Sequence, residues 1–550
     1  MKKLLFVLIV LGLWSCSPKQ AAVGTDAVKL NSLGFLPENV KQATITVACT
    51  DFTVNEAATG KVVFEGKTGG AFSQEDTGEQ AWIADFSGLT APGNYYVEVP
   101  GVGRSVEFPI GDQVYREAYV TAMRAFYLWR CGMEVDGEHQ GNHFHQGACH
   151  LNDGYEDYLG SAGSRRDGTG GWHDAGDYGK YVVNAGVTVG ILFMAWDYFR
   201  PQLEQISLGL PETAPGYPDY LKEMKWETEW LLKMQYPDGS GRVSHKLTRV
   251  QFAPFIMADQ DTAKRYFTEW SSAATADFVA MMARAARVFQ PYDAAYATRC
   301  LDAARVSYAF LKNNPEDKRF EQGDFKTGGY QTKDPDDRLW AAAEMWETTG
   351  EAEFLADFEK RAADAEFVIE ENWDWGNQGN QGMFTYLLSK REGKNPAVQE
   401  SLMKNCLAVA DELVAKAQAD VYRRPLGGRY YWGCNGTIAR QTVNLFVANQ
   451  LQPDAKYVNT ALDAVGHLFG RNTYNRSFVT GVGINPPMNP HDRRSGADSI
   501  AAPWPGYLVG GGHSATDWVD LQESYSHNEI CINWNASLAW LASWADRLER

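Results

Sequence analysis

Ser105-Val106-Glu107-Phe108-Pro109-Ile110-Gly111-Asp112-Gln113-Val114-Tyr115-Arg116-Glu117-Ala118-Tyr119-Val120-Thr121-Ala122-Met123-Arg124-Ala125-Phe126 changes its period midway. Ser105 to Phe108 alternates as a strand does, whereas past Asp112 the residues Val114-Tyr115, Ala118-Tyr119, Ala122-Met123 and Phe126 recur at helical spacing. On the N-terminal side, from Asp26 to about Gly111, short β-branched and aromatic runs are separated by Gly, Pro and Asn. Ala43–Val47, Val62–Phe64, Ala81–Phe86, Tyr95–Val99 and Ser105–Phe108 read as strands. With turns such as Pro92-Gly93-Asn94, residues 26–111 are expected to form an all-β immunoglobulin-like sandwich. On the C-terminal side, over 112–550, further helical faces occur at 181–199, 219–236, 271–289, 293–313, 336–349, 351–371, 397–418, 437–450, 454–470 and 527–547, with a faint one at 381–390. About a dozen helices without a short sequence repeat predict a large all-α domain, a closed toroid of paired helices; an irregular stack shares the same periodicities.

The first residues carry an address. Met1-Lys2-Lys3 is cationic, Leu4–Leu13 is apolar but too short to span a bilayer as a helix, and Leu13-Trp14-Ser15-Cys16 closes the run as a cleavage and acylation site would. Residues 1–15 therefore read as a lipoprotein signal peptide, Cys16 as the lipidated N-terminus and 16–25 as a tether, which predicts an exported, membrane-anchored protein whose only membrane contact is the lipid. Lys plus Arg total 51 against 69 Asp plus Glu, a net charge of −18. Such a surface repels nucleic acid and anionic lipid, which leaves neutral ligands, and the 18 Trp supply flat faces for sugar rings even though most aromatics must serve the core. Eight thinly spread cysteines do not indicate a disulfide framework.

Two segments carry chemistry. Gly170-Gly171-Trp172-His173-Asp174-Ala175-Gly176-Asp177-Tyr178-Gly179-Lys180-Tyr181 sets two carboxylates three residues apart among small neighbours, an arrangement that suits holding and deprotonating one water. Asp and Gly also crowd into loops and helix caps for structural reasons alone. Far along the chain, Ser524-Tyr525-Ser526-His527-Asn528-Glu529-Ile530-Cys531-Ile532-Asn533-Trp534-Asn535 puts Glu529 at the expected start of the last helix, either as a cap or as an acid of raised pKa. Inverting hydrolysis of a glycosidic bond requires such a pairing of a separated acid and base.

On these segments the sequence resembles family 9 of the glycoside hydrolases, the cellulase family with an (α/α)6 barrel, in its branch with an N-terminal immunoglobulin-like domain. Asn31-Ser32-Leu33-Gly34-Phe35-Leu36-Pro37 resembles the opening of that small domain, Gly171–Asp177 the base loop and Asn528-Glu529-Ile530 the acid motif. The resemblance implies that Asp177 activates water, Asp174 helps hold it and Glu529 is the general acid. Gly470-Arg471-Asn472 through Ser477–Gly481 to Pro490-His491-Asp492-Arg493-Arg494-Ser495 resembles the histidine motif, which implies sugar contacts for His491 and Arg493; Asp492 stands where the family commonly has a second histidine. Trp432 and Trp534 occupy positions of ring-stacking aromatics, although either suits a core.

Five of the ten histidines fall between 139 and 173. Cys131, Cys149, His150 and His173 offer a zinc ligand set, against which stand a Cys131–Cys149 disulfide or simple burial. Members of the resembled branch bind zinc through a similar pattern, which implies a structural zinc here and leaves His139, His143 and His145 to the surface; calcium is also common in the family, without ligands assignable in this chain. The expectation is an inverting endo-β-1,4-glucanase acting on cellulose-like β-glucan without an organic cofactor. A xyloglucan-adapted or exo-acting enzyme of the same family and a non-catalytic glycan-binding lipoprotein are the rivals. Release of reducing ends separates turnover from mere binding.

Overall fold

The computed structural model describes residues 25–212 and 216–548; the signal peptide, Cys16 and all but the last residue of the tether lie outside them. Strands β1 (Val28–Lys29), β2 (Gln42–Ile45), β3 (Asp51–Glu56), β4 (Val62–Lys67), β5 (Phe72–Gln74), β6 (Glu79–Asp85), β7 (Gly93–Val99), β8 (Gly103–Arg104) and β9 (Phe108–Ile110) build two antiparallel sheets, β1-β2-β6-β5 and β4-β3-β7-β8, with β9 on β7. Inward residues of both sheets, among them Val28, Ile45, Phe52, Val54, Val97 and Phe108, form one core, as alternation on two facing sheets requires. The strand expected over Ser105–Phe108 is a correction: the chain pairs at 103–104 and again at 108–110, and between them the Ser105 hydroxyl accepts from the Val97 N–H at 3.0 Å.

The helices are α1 (Arg116–Leu128), α2 (Val182–Leu203), α3 (Asp219–Met234), α4 (Ser272–Phe289), α5 (Ala294–Asn313), α6 (Pro335–Thr349), α7 (Ala352–Asp364), α8 (Gly379–Leu388), α9 (Pro396–Ala419), α10 (Cys434–Leu451), α11 (Ala455–Leu468), the single turn α12 (Tyr525–Asn528) and α13 (Ile532–Arg547). Packing runs α2 to α4, α6, α8, α10 and α13 and back to α2, which closes an inner ring; α1, α3, α5, α7, α9 and α11 lie outside it. This is the (α/α)6 toroid. Burial explains the two kinds of helix. Inner α2 is buried continuously from Val182 to Trp196 and is apolar all round, whereas outer α9 buries only Val398, Leu402, Cys406, Ala410, Leu413, Val414 and Ala417. Where a helix was expected to run to 371, α7 stops at Asp364 because Glu366 and Phe367 adopt φ of 54° and 57°, left-handed backbone that ends a helix.

The two domains are cross-linked by polar contacts. Lys29 Nζ donates to Glu79 Oε1, Tyr422 Oη and the Thr473 carbonyl, and Asp76 accepts from Arg424 Nη2 and from the Tyr430 hydroxyl at 2.8 Å. Three further strands matter for the site. They are β12 (Lys180–Tyr181), β13 (Lys246–Thr248) and β14 (Tyr266–Phe267), which follow the hairpin strands β10 (Val135–His139) and β11 (Asn142–Gln146) and form one small sheet over the N-terminal ends of the inner helices.

Candidate active site

Backbone pairing brings the distant carboxylates together. Ala175 bridges Cys531 in antiparallel fashion, Ile532 N donates to the Asp174 carbonyl at 2.9 Å, and His491 bridges Glu529 in parallel. The base loop, the acid segment and the histidine loop thus form one irregular ribbon. Glu529 is extended, at φ −69° and ψ 155°, three residues before α13. This corrects the expected helix-start position. Gly176 is required sterically, since a Cβ there would stand 2.0 Å from the His491 carbonyl oxygen.

The loop is held from behind by α3. The Trp172 N–H donates to Glu227 Oε2 and its indole to Glu223 Oε1, both at 2.7 Å, while buried Arg130 pairs with Glu223. Each aspartate is then fixed differently. Asp174 accepts at both oxygens, from Asn184 Nδ2 at 2.7 Å and from the Tyr330 hydroxyl at 2.6 Å. Asp177 accepts twice at Oδ2, from the Gly179 N–H and the Tyr181 hydroxyl, each at 3.0 Å; among the described residues its Oδ1 has no donor. Burial, then the charge of Asp177, raises Asp174 to about 8. The same two causes in the same order lift Glu529 well above the usual carboxylate range, which favours its protonated form.

A cleft of about 340 Å³ opens over these groups. Asp174, Asp177 and Glu529 line it together with Trp432, Trp534, Tyr181, Tyr330, Trp375, Asp374, Asn533 and Phe252. Trp432 is 44% exposed and presents its ring, whereas Trp534 is 6% exposed and packs against Gly433 and Gly436, so only part of it faces the cleft. His491 stands beside Phe255 and Tyr525, its Nδ1 donating to the Gln522 carbonyl at 2.7 Å. Arg493 is buried: Nε donates to the Ala253 carbonyl and Nη1 to the Gly176 carbonyl, which ties the Phe252 loop to the base loop. Sequence reasoning passed over Asn184, Tyr181, Tyr330 and Phe252. None of them carried a sequence signal; the left-handed backbone of Tyr330, at φ 45°, shows only in the fold.

Cys131, Cys149, His150 and His173 converge directly behind the base loop, with one ligand atom from each lying within 4.8 Å of all the others. The two thiols are unlinked. Cys131 Sγ is 3.6 Å from His150 Nδ1, Cys149 Sγ is 3.8 Å from His173 Nε2, and the two nitrogens are 3.3 Å apart. Zinc bonds of about 2.3 Å to sulfur and about 2.05 Å to nitrogen imply tetrahedral edges of about 3.6 Å between S and N and about 3.3 Å between N and N. The four residues fit that ion. Burial lowers His173 to about 3, so its imidazole is neutral as a ligand must be, and His150 Nε2 faces Asp261 Oδ2 at 3.5 Å, a carboxylate suited to orient the ring. His143 and His145 are exposed on β11 and His139 bonds the Gly481 carbonyl, apart from this cluster.

Comparison with known proteins agrees in both domains. The sequence model of "Glycosyl hydrolase family 9" matches residues 115–542 and that of "Cellulase N-terminal ig-like domain" matches 24–104. The chain belongs to glycosyl hydrolase family 9. It is 56% identical over 515 residues to Endoglucanase D of Acetivibrio thermocellus, covering 93% of this chain and 82% of that protein. A xyloglucan-specific endo-beta-1,4-glucanase of Bacteroides ovatus is 31% identical over 97% of this chain and 96% of its own length. The crystal structure of a metagenome-derived family 9 endoglucanase superposes with a TM-score of 0.86 at 34% identity, covering 94% of this chain and 98% of that one. Family 9 membership makes the chain a glycoside hydrolase of cellulase type.

Proposed function

We propose that this family 9 glycoside hydrolase is an inverting endo-β-1,4-glucanase with Asp177 as base, Asp174 as its partner in holding water and Glu529 as general acid. The asymmetry of the two aspartates carries the assignment. Asp174 accepts one protein donor at each oxygen and retains a lone pair on each for water, while Asp177 is anchored through Oδ2 and keeps Oδ1 wholly for a ligand. In the reaction Asp177 takes a proton from water as its oxygen attacks the anomeric carbon, and Glu529, protonated beforehand, gives its proton to the departing glycosidic oxygen. One displacement inverts the centre. Trp432 supplies a stacking face for the chain, and His491 holds the sugar beside the scissile bond.

Proton NMR of the first product from a β-1,4-glucan tests this: α-anomer is expected before mutarotation, and initial β-anomer overturns the mechanism. Profiles over cellulosic glucan and xyloglucan choose the preferred chain, because the A. thermocellus and B. ovatus relatives are named for different activities.

The same reading includes a structural zinc on Cys131, Cys149, His150 and His173, which would cross-link the segments behind the base loop and take no part in the reaction steps. It also includes export with a lipid on Cys16, as the N-terminal residues suggest. Mass spectrometry of detergent-extracted protein should then find a diacylglycerol thioether on Cys16 as the first residue, and an unmodified chain would remove the anchor.

A further inference from the structure

Lys246 is fully buried, yet no carboxylate of the described residues lies within ion-pair distance of it. Its Nζ donates to neutral oxygens, Gln322 Oε1 and the Gly328 carbonyl, both at 2.7 Å, and sits among the rings of Phe320, Phe325 and Tyr181. An uncompensated buried cation is costly, so something must depend on it. Its position shows what. In the β12–β13 ladder Lys246 is the cross-strand partner of Tyr181. The Tyr181 hydroxyl accepts from the Gly328 N–H at 3.1 Å and donates to Asp177 Oδ2 at 3.0 Å. Lys246 Nζ also reaches the Thr327 carbonyl at 3.4 Å, and that carbonyl shares its peptide group with the Gly328 N–H, so a continuous path leads from the ammonium through the Thr327–Gly328 peptide and the phenol to the base, each bond polarising the next.

We propose that Lys246 is a positioning residue for Asp177: through Gly328 and Tyr181 it aims Oδ1 at the cleft, and it sets a positive charge behind the base beside two other carboxyls. This rests on Asp177 being the base. The surroundings make the charge necessary. Asp177 faces Asp174 from its own loop, Glu529 from the segment before α13 and His491 from the histidine loop; the Arg493 charge acts on Glu529. Asp177 is in turn the charge that raises Lys246 against its burial. Burial lowers Lys246 to about 7, Asp177 opposing, so the lysine is protonated on the acid side where a carboxylate base titrates.

The test is the pH profile of kcat/KM for Lys246→Met and Tyr181→Phe on an unactivated glucan. Loss of the positive charge raises the pKa of the base, so in Lys246→Met the acid limb should move up by about one pH unit, a tenfold loss on that side, while KM changes less than about twofold. Lys246→Arg should hold the limb near its wild-type place. An acid limb in folded Lys246→Met that coincides with wild type overturns the proposal. Should Lys246→Met fail to fold, Tyr181→Phe decides by the same criterion, since it removes one oxygen and keeps the ring. Asp177→Asn separates the two layers: if it retains turnover the base assignment itself falls, whereas an inactive Asp177→Asn beside an unmoved limb in the lysine variant removes only the role of Lys246.

Discussion

Glu529→Gln should lower turnover of unactivated β-glucan by at least about a hundredfold while fold and glucan affinity stay close to wild type. The replacement preserves shape and removes only the proton donor. In the native site, burial and then the nearby Asp177 charge push the Glu529 carboxyl well above the usual carboxylate range, which favours the loaded acid. A glycosidic oxygen leaving as an alkoxide needs that proton; a nitrophenolate scarcely does. The loss should therefore shrink on an activated aryl glycoside, whereas Asp177→Asn, which removes the activation of water, should be as damaging on either substrate. Equal losses for Glu529→Gln on both substrates, or near wild-type turnover on glucan, would contradict the acid assignment. The sign with pH follows. As pH rises through the elevated pKa of Glu529 the proton is lost, so wild-type activity should fall on the alkaline side of that value.

Helical periodicity placed α2, α4, α5 and α9 within a few residues because their buried faces repeat over many turns. It did not distinguish inner helices from outer ones, and ring closure by α13 on α2 is a contact between the first and last inner helices, far apart in sequence. Strand β3 escaped notice although it is central in its sheet, because only Phe52 and Val54 interrupt a polar hexapeptide. The base loop was legible because Gly and Asp are crowded there. Glu529 was legible as a residue type but not in its conformation: the apolar run that follows suggested a helix, while pairing with His491 and with the strand-like 508–510 segment keeps Glu529 extended. Asn184, Tyr181 and Tyr330 were silent for another reason. A buried Asn or Tyr declares no role until tertiary structure supplies the oxygen it donates to, here Asp174 or Asp177.

Cys149→Ser should abolish stoichiometric zinc, lower the melting temperature and weaken catalysis by about a hundredfold, although no ligand of the cluster touches the cleft. The link is covalent. His173 precedes Asp174, and its N–H donates to the Trp129 carbonyl at 2.9 Å, so the loop that carries the base is anchored at its root by the residues around the cluster. Without the ion, the two buried thiols are left with weak contacts to the imidazoles and to Gln146 Nε2, and His173 Nδ1 already lacks a partner. The tetrahedral set then has no reason to stay closed. Drift of the loop by about an ångström suffices for a hundredfold loss in rate. Elemental analysis should find about one zinc per chain in the parent and none in the variant. Chelation is the weaker probe, because Cys131, Cys149 and His173 are buried and EDTA reaches such a site only when the domain opens. Parent protein without zinc, or a Cys131–Cys149 disulfide found by mass spectrometry under non-reducing conditions, would eliminate the site, since a bonded sulfur pair cannot supply two thiolate ligands.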